Sequence, residues 1–212
     1  MSRIIFVTST GTGIGKTHVT CEAIRNRINS GFLVNALKPI ISGFDPAEVE
    51  NSDTGLLLQA LGRDSSEENI AAISPWRFSA PLSPDQAAVQ EDQPLDLDAL
   101  VEFCKTSCRD DYDYHFIEGV GGLMVPLNDR HTVLDWIKAL DCDIWLVAGT
   151  YLGSLSHTLT ACDVLHHHDI KLSQLILSES AENSVGLQQT ATTLGNFLQK
   201  IPITGIRRQE EN

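Results

Sequence analysis

The sequence predicts an α/β fold in three layers, a mostly parallel sheet flanked by helices. Two observations carry this. Short apolar runs alternate along the chain with segments of helical periodicity, as they do when crossover helices join parallel strands. At the opening, the apolar run RIIFVTS passes through a glycine-rich turn into KTHVTCEAIRNRI, which has an apolar stripe at Val19, Ala23 and Ile24. With 212 residues, the chain fits one domain over residues 1–212, large enough to bury a core without staples.

In order, the first strand is expected over residues 4–8 and the first helix over 16–29. A strand over 34–38 follows, stopped by Pro39, which cannot continue a ladder. Helices are expected over 54–61 and 97–107, then a strand over 115–118, which is apolar up to Glu118. A helix over 132–140 and a strand over 144–148 come next. Ser154 is expected to cap a helix over 154–167, and Ser184 one over 184–198. Strands over 174–177 and 203–206 complete the sheet. Residues 64–94 are acidic, proline-bearing and without clean periodicity, and read as a long irregular insertion with a functional role. Within it RFSAPLSPDQAA is excluded from the central sheet by Pro81 and Pro84.

The formal charge of -13 excludes nucleic acid and anionic membranes as partners, because both need clustered Lys and Arg. The first apolar run is too short for a signal peptide, and no later run reaches the roughly 20 residues of a membrane span. Five cysteines without a CxxC pair read as reduced thiols of a cytoplasmic protein. Cys104 and Cys108 share a helix face, but they lack histidine partners for a metal.

The turn TGTGIGKT stands between strand and helix, the context in which such a loop grips phosphate. Gly11, Gly13 and Gly15 let the backbone turn N–H groups toward phosphate oxygens. Lys16 would reach the β- and γ-phosphates, and the Thr17 hydroxyl would bind Mg²⁺. This is the P-loop NTPase type of fold. A magnesium ion needs further oxygens, and two carboxylates are placed for it. Glu118 ends an apolar strand at the carboxyl edge of the sheet, where ligands gather and where an unpartnered charge would be costly. Asp53 stands at a helix start, so capping and metal binding are both open to it. Lys38 ends a strand at the same edge and is either a second ammonium for the phosphates or a snorkelling side chain. The set suits phosphoryl transfer, in which positioning and charge neutralisation dominate. His166, His167 and His168 fit a helix C-terminus, and Trp76, Trp136 and Trp145 fit packing.

With these residues in view, the sequence resembles the dethiobiotin synthetase family along nearly its whole length. The resemblance is carried by FVTSTGTGIGKT, LKPIISG, NSDTGLL, FSAPLSP, IEGVGGLMVPL and DIWLVAGTYLGSLSHT in that order. It implies a homodimer that uses ATP and Mg²⁺ to join CO₂ to 7,8-diaminononanoate. The route it implies runs through an N-carbamate and a carbamic-phosphoric anhydride to a cyclic urea. By position, Lys38 and Lys16 would be catalytic, and Thr12, Ser42 and Gly121 would contact substrate. Ser154 and Ser156 of the neighbouring subunit would receive the substrate carboxylate at a helix N-terminus. The nucleotide would lie on Gly13, Ile14, Gly15, Lys16, Thr17 and His18, with Asp53, Glu118, Gly119, Gly121 and Ser178. Thr17, Asp53 and Glu118 would hold the metal.

Three departures stand out. Gly11 replaces an acidic residue, Ser178 replaces a purine-reading asparagine, and TGIRRQEEN stands where the family carries a G-E-I-P type loop. The last two predict relaxed selectivity for the nucleotide base. Two other classes compete. A partition or metal-pump ATPase, a nucleotide-switched module, would carry a lysine where this chain has Gly11. A related amide-forming ligase of the cobyrinic acid diamide synthase kind would append a glutamine-handling domain, for which 212 residues leave no room. A copy that has lost turnover would not be expected to keep Lys16, Thr17, Lys38, Asp53 and Glu118 together.

Overall fold

The computed structural model of the chain describes residues 2–181 and 185–208. Its main sheet comprises β1 (Arg3–Ser9), β2 (Val34–Leu37), β5 (Tyr114–Glu118), β6 (Asp143–Ala148), β7 (Leu172–Ser178) and β8 (Ile203–Ile206). Their order is β2-β5-β1-β6-β7-β8, and every neighbouring pair is parallel. β1, at the centre, reads as a nearly continuous apolar run because its residues from Ile5 to Ser9 are buried.

Helices flank this sheet: α1 (Lys16–Asn29), α2 (Asp53–Ala60), α5 (Leu97–Ser107), α6 (Val133–Lys138), α7 (Ser154–His167) and α8 (Leu187–Phe197). α1 packs on β1, β2 and β5 and against α2, while α7 and α8 pack together near β7. Burial of the apolar stripe supplies most of the stability of such short helices. Trp136 of α6 is fully buried and meets the Phe6 ring of β1 edge-on at 4.8 Å between centroids.

Several expectations need correction. The stretch 64–94 is not irregular: it holds α3 (Glu67–Ile73), β4 (Trp76–Phe78) and α4 (Pro84–Gln90). β4 pairs in parallel with β3 (Ile40–Ser42), an unforeseen strand, to form a separate two-stranded sheet. Pro81 and Pro84 lie beyond that ladder, so their exclusion from the central sheet holds. β2 stops at Leu37, leaving Lys38 just past the strand. Ser154 is the first helical residue rather than a cap: Gly153 occupies the cap position in a left-handed conformation. Ser184 lies outside the described residues, and α8 begins at Leu187 after Gly186. All five cysteines are free, and among the described residues no helix is long and apolar enough to cross a membrane.

His115 of β5 is fully buried, and its Nε2–H donates to the Arg109 carbonyl at 2.7 Å. Its Nδ1 has no partner among the described residues. Burial holds its pKa below the ordinary 6.5, so the folded chain keeps the ring neutral. A histidine that charges more easily when unfolded weakens the fold as pH falls below its unfolded value. The melting temperature should therefore fall as pH drops from about 6.5 to 5.5, and less steeply in His115→Gln. Thermal melts across that range check this; identical slopes would contradict it.

Candidate active site

The P-loop connects β1 to α1 at the carboxyl edge of the sheet. Gly15 holds φ +95, a left-handed conformation open to glycine, and turns the chain into the first helical N–H groups. A Cβ there would stand 2.5 Å from Ser178 Oγ at the end of β7. The neighbouring strand brings Glu118 level with Val7 at the base of the loop. Lys38 follows β2, the strand paired with β5 on its other side.

These placements gather one ionic cluster around a buried pair. Lys38 is 2% exposed and Glu118 0%. The Lys38 ammonium donates to Glu118 Oε1 at 2.8 Å and to the Gly119 carbonyl at 2.9 Å, and it lies 3.2 Å from Asp53 Oδ2. The Thr17 hydroxyl lies 2.7 Å from Asp53 Oδ1 and 2.8 Å from Glu118 Oε1. Asp53 is free to join because Ser52 caps α2, accepting the Gly55 N–H at 3.1 Å. Burial opposes the Lys38 charge, but Glu118 and then Asp53 outweigh it and hold its pKa above the ordinary lysine value. Burial likewise opposes ionisation of Asp53, and Lys38 and the Thr17 hydroxyl hold its carboxyl below the usual range.

The second ammonium is held differently. Lys16 Nζ donates to the Gly121 carbonyl at 2.9 Å, to Ser9 Oγ at 3.1 Å and to the Gly11 carbonyl at 3.4 Å. Burial first, then the neighbouring Lys38 charge, lower its pKa to about 8. Its three donors are thus engaged by oxygens of the chain itself. Ser9 was not foreseen as part of the site, since a strand-end serine carries no signal of its own.

A cavity of about 550 Å³ opens above the cluster. Thr12, Gly13, Ile14, Gly15, Lys16, Thr17, Lys38, Ser42, Asp53 and Gly121 all line it. Glu118 lies beneath, reached through Thr17 and Lys38. The apolar part of the wall was missed: Ile41, Pro81, Leu82, Pro84, Val120 and Val125, half of them from the stretch read as irregular. His18 is exposed on α1 and is absent from the lining. Ser154 and Ser156 sit on the first turn of α7 and are not in this cavity either.

Among the described residues, Glu118 Oε2 is buried without a hydrogen-bond partner. The Glu118 and Asp53 carboxylates, with the Thr17 hydroxyl they share, make an all-oxygen donor set. That chemistry fits a hard cation such as Mg²⁺.

Fold and site together define a P-loop nucleotide-binding protein. Solved structures of similar fold include a MinD protein from Pyrococcus horikoshii complexed with Mg-ADP, with a TM-score of 0.59 and 17% identity over 99% of this chain and 82% of that one. A ParA family ATPase from Chlorobium tepidum gives 0.56 and 15%, over 99% and 85%. These establish the fold alone. A family model described as an AAA domain matches residues 3–206. An ATP-dependent dethiobiotin synthetase of Acidiphilium cryptum is 41% identical over 93% of this chain and 89% of its own length. One from Methylobacterium nodulans is 46% identical over 83% and 80%. The chain belongs to the ATP-dependent dethiobiotin synthetase family.

The contact between Gly15 and Ser178 gives a test of loop geometry. Gly15→Ala forces a left-handed alanine, costing about 1–2 kcal/mol, and drives its Cβ into Ser178 Oγ. Its nucleotide affinity should fall, and adding Ser178→Ala should recover part of the loss but never all of it. Titration calorimetry with ATP on both variants checks this; full recovery would show that backbone conformation plays no part.

Proposed function

We propose that this chain closes the cyclic urea of dethiobiotin from 7,8-diaminononanoate and CO₂ at the expense of ATP, acting as one catalytic unit. Family membership supports the overall activity. The observation that carries the mechanism is the Lys38–Glu118–Asp53–Thr17 cluster flooring a cavity that also has an apolar wall. The diamine's alkyl chain fits against Ile41, Leu82, Val120 and Val125, leaving both amines near Lys38, Thr12 and Ser42. Ser42 Oγ is buried and without a partner among the described residues, so it is available to orient an amine.

One amine attacks CO₂, forming the C–N bond of a carbamate and releasing a proton. A carbamate oxygen then attacks the γ-phosphorus of ATP, and ADP leaves. The second amine attacks the carbonyl carbon of the mixed anhydride, closing the ring and expelling phosphate. Carbamate and triphosphate are both anionic, and their approach is the electrostatic problem of the reaction. Lys38 offsets the carbamate charge, while Lys16 leaves its seat on Ser9 and Gly121 for the phosphate oxygens. Thr17, Asp53 and Glu118 would hold Mg²⁺, which when bound neutralises the phosphates.

Ser154 and Ser156 bear on assembly. They lie outside their own chain's cavity, at the start of a 14-residue helix. In a two-fold homodimer the partner's helix would bring them to the free carboxylate of the substrate. Sedimentation should show the active species as a dimer, and an active monomer at assay concentration would rule this arrangement out.

The activity is tested with purified protein, diaminononanoate, bicarbonate, Mg²⁺ and ATP, with dethiobiotin read by mass spectrometry. Product is expected from the wild type and none from Lys16→Ala, with ATP hydrolysis strongly dependent on the diamine. Vigorous hydrolysis with no diamine or bicarbonate present would instead favour a nucleotide switch.

Selectivity for the base is a further expectation. Ser178 offers a hydroxyl, not the paired donor and acceptor of a carboxamide that would match adenine. Loss of such a contact relaxes selectivity by roughly ten- to a hundredfold. CTP or GTP should therefore support product formation within about tenfold of ATP in kcat/KM. Matched subsaturating assays with each triphosphate check this, and a preference for ATP far above a hundredfold would contradict it.

A further inference from the structure

We propose that Glu91, which lies outside the cavity, is a positioning residue that sets the cavity's substrate wall. The proposal rests on the reading of that wall as the diamine's seat. Glu91 follows the last residue of α4. Its Oε1 accepts the Ala80 N–H at 2.8 Å and the Ser79 hydroxyl at 3.0 Å, closing the loop between β4 and α4 on itself. Ala80 is the hub of this loop. Its carbonyl accepts the N–H of Leu82 at 2.9 Å and the N–H of Gly43 at 3.1 Å. One residue, through its N–H and its carbonyl, thus ties Glu91 to two parts of the wall: Leu82 on the loop, and Ser42 immediately before Gly43.

The packing leaves the loop little room. Gly43 has φ +72, and a Cβ there would lie 3.3 Å from Pro81 Cβ. Pro81, Leu82, Ser83 and Pro84, between the two ends that Glu91 joins, all line the cavity. The location of the carboxylate is itself informative. A negative charge at a helix C-terminus meets the negative end of the helix dipole and is locally unfavourable. The two donors account for its presence, and the Ala80 N–H chiefly, with Ser79, holds its pKa below the usual range. Glu91 is therefore ionised at neutral pH and bonded to the loop it steadies.

On the proposed reading this wall seats the diamine, so loosening it should act chiefly on that ligand. In steady-state assays, Glu91→Ala should raise KM for diaminononanoate about tenfold while KM for ATP stays within about twofold. Glu91→Gln keeps a carboxamide oxygen able to accept both bonds and should restore the diamine KM to within about threefold of wild type. An unchanged diamine KM in Glu91→Ala, an equal rise in both KM values, or a Glu91→Gln as impaired as Glu91→Ala would each overturn the proposal. If Glu91→Ala does not fold, Glu91→Asp, one methylene short of Ala80, is measured in its place with the same split expected. Hydrogen exchange over residues 79–84 reads the latch apart from catalysis. Faster exchange in Glu91→Ala, restored in Glu91→Gln, supports it, and unchanged exchange overturns it. A wild type that makes no dethiobiotin would sink the activity reading while the exchange result still judges the latch.

Discussion

An ammonium and a carboxylate with essentially no exposure must find each other, and the meeting of Lys38 with Glu118 organises this molecule. Unpaired, either charge would be prohibitive in the interior. Their partnership requires β2 beside β5 and β5 beside β1, which is the order observed. It also requires the strands to end level with the P-loop, as the pairing of Val7 with Glu118 provides. The cluster is then completed from a third direction by Asp53 at the start of α2, where a carboxylate suits the helix dipole.

That arrangement separates two tasks within one cavity. The floor is ionic and rigid, built from strand ends and helix starts whose positions the core dictates. The apolar wall comes from the small appended sheet, the loop into α4 with its first residue, and the loop after β5. Phosphate chemistry needs the former, because preorganised charge acts best where water and motion are limited. A substrate's alkyl chain needs only shape and apolar surface, which a loop supplies once it is tied down. The division also explains why Lys16 and Lys38 differ: one is locked to carboxylates, the other held by neutral oxygens it can leave.

Much of this was legible in the sequence. The six strands of the main sheet and its six flanking helices follow from periodicity, because each is long or apolar enough to repeat its pattern. Lys38 and Glu118 were legible because chemistry restricts what can stand at a strand end beside a phosphate loop, and Lys16 and Thr17 through the loop motif itself. Asp53 stayed open between capping and metal binding until the resemblance implied its role. The stretch 64–94 was misread because Pro75, Pro81, Pro84 and Pro94 break up its short elements, α3 and α4 of seven residues and β4 of three, and so mask their periods. β3 was lost behind Pro39 for the same reason. Ser154 looked like a cap, but Gly153, free to turn left-handed, had already taken that position. The seat of Lys16 on the Gly11 and Gly121 carbonyls could not be read at all, because backbone oxygens leave no mark in side-chain identity. The latch at Glu91 left one faint sign, an acid at the wrong end of a helix.

A double-mutant cycle on Lys38 and Glu118 goes to the centre of this account. Equilibrium unfolding in denaturant would be followed for the wild type, Lys38→Met, Glu118→Gln and the double variant, without nucleotide or metal. If the pair organises the site as argued, each single change leaves a buried charge short of its partner and destabilises the fold by about 3–5 kcal/mol. The double change should then cost well below the sum, with a coupling energy above about 2 kcal/mol. Effects that add to within about 0.5 kcal/mol would show that the two charges do not depend on each other, and would contradict the account.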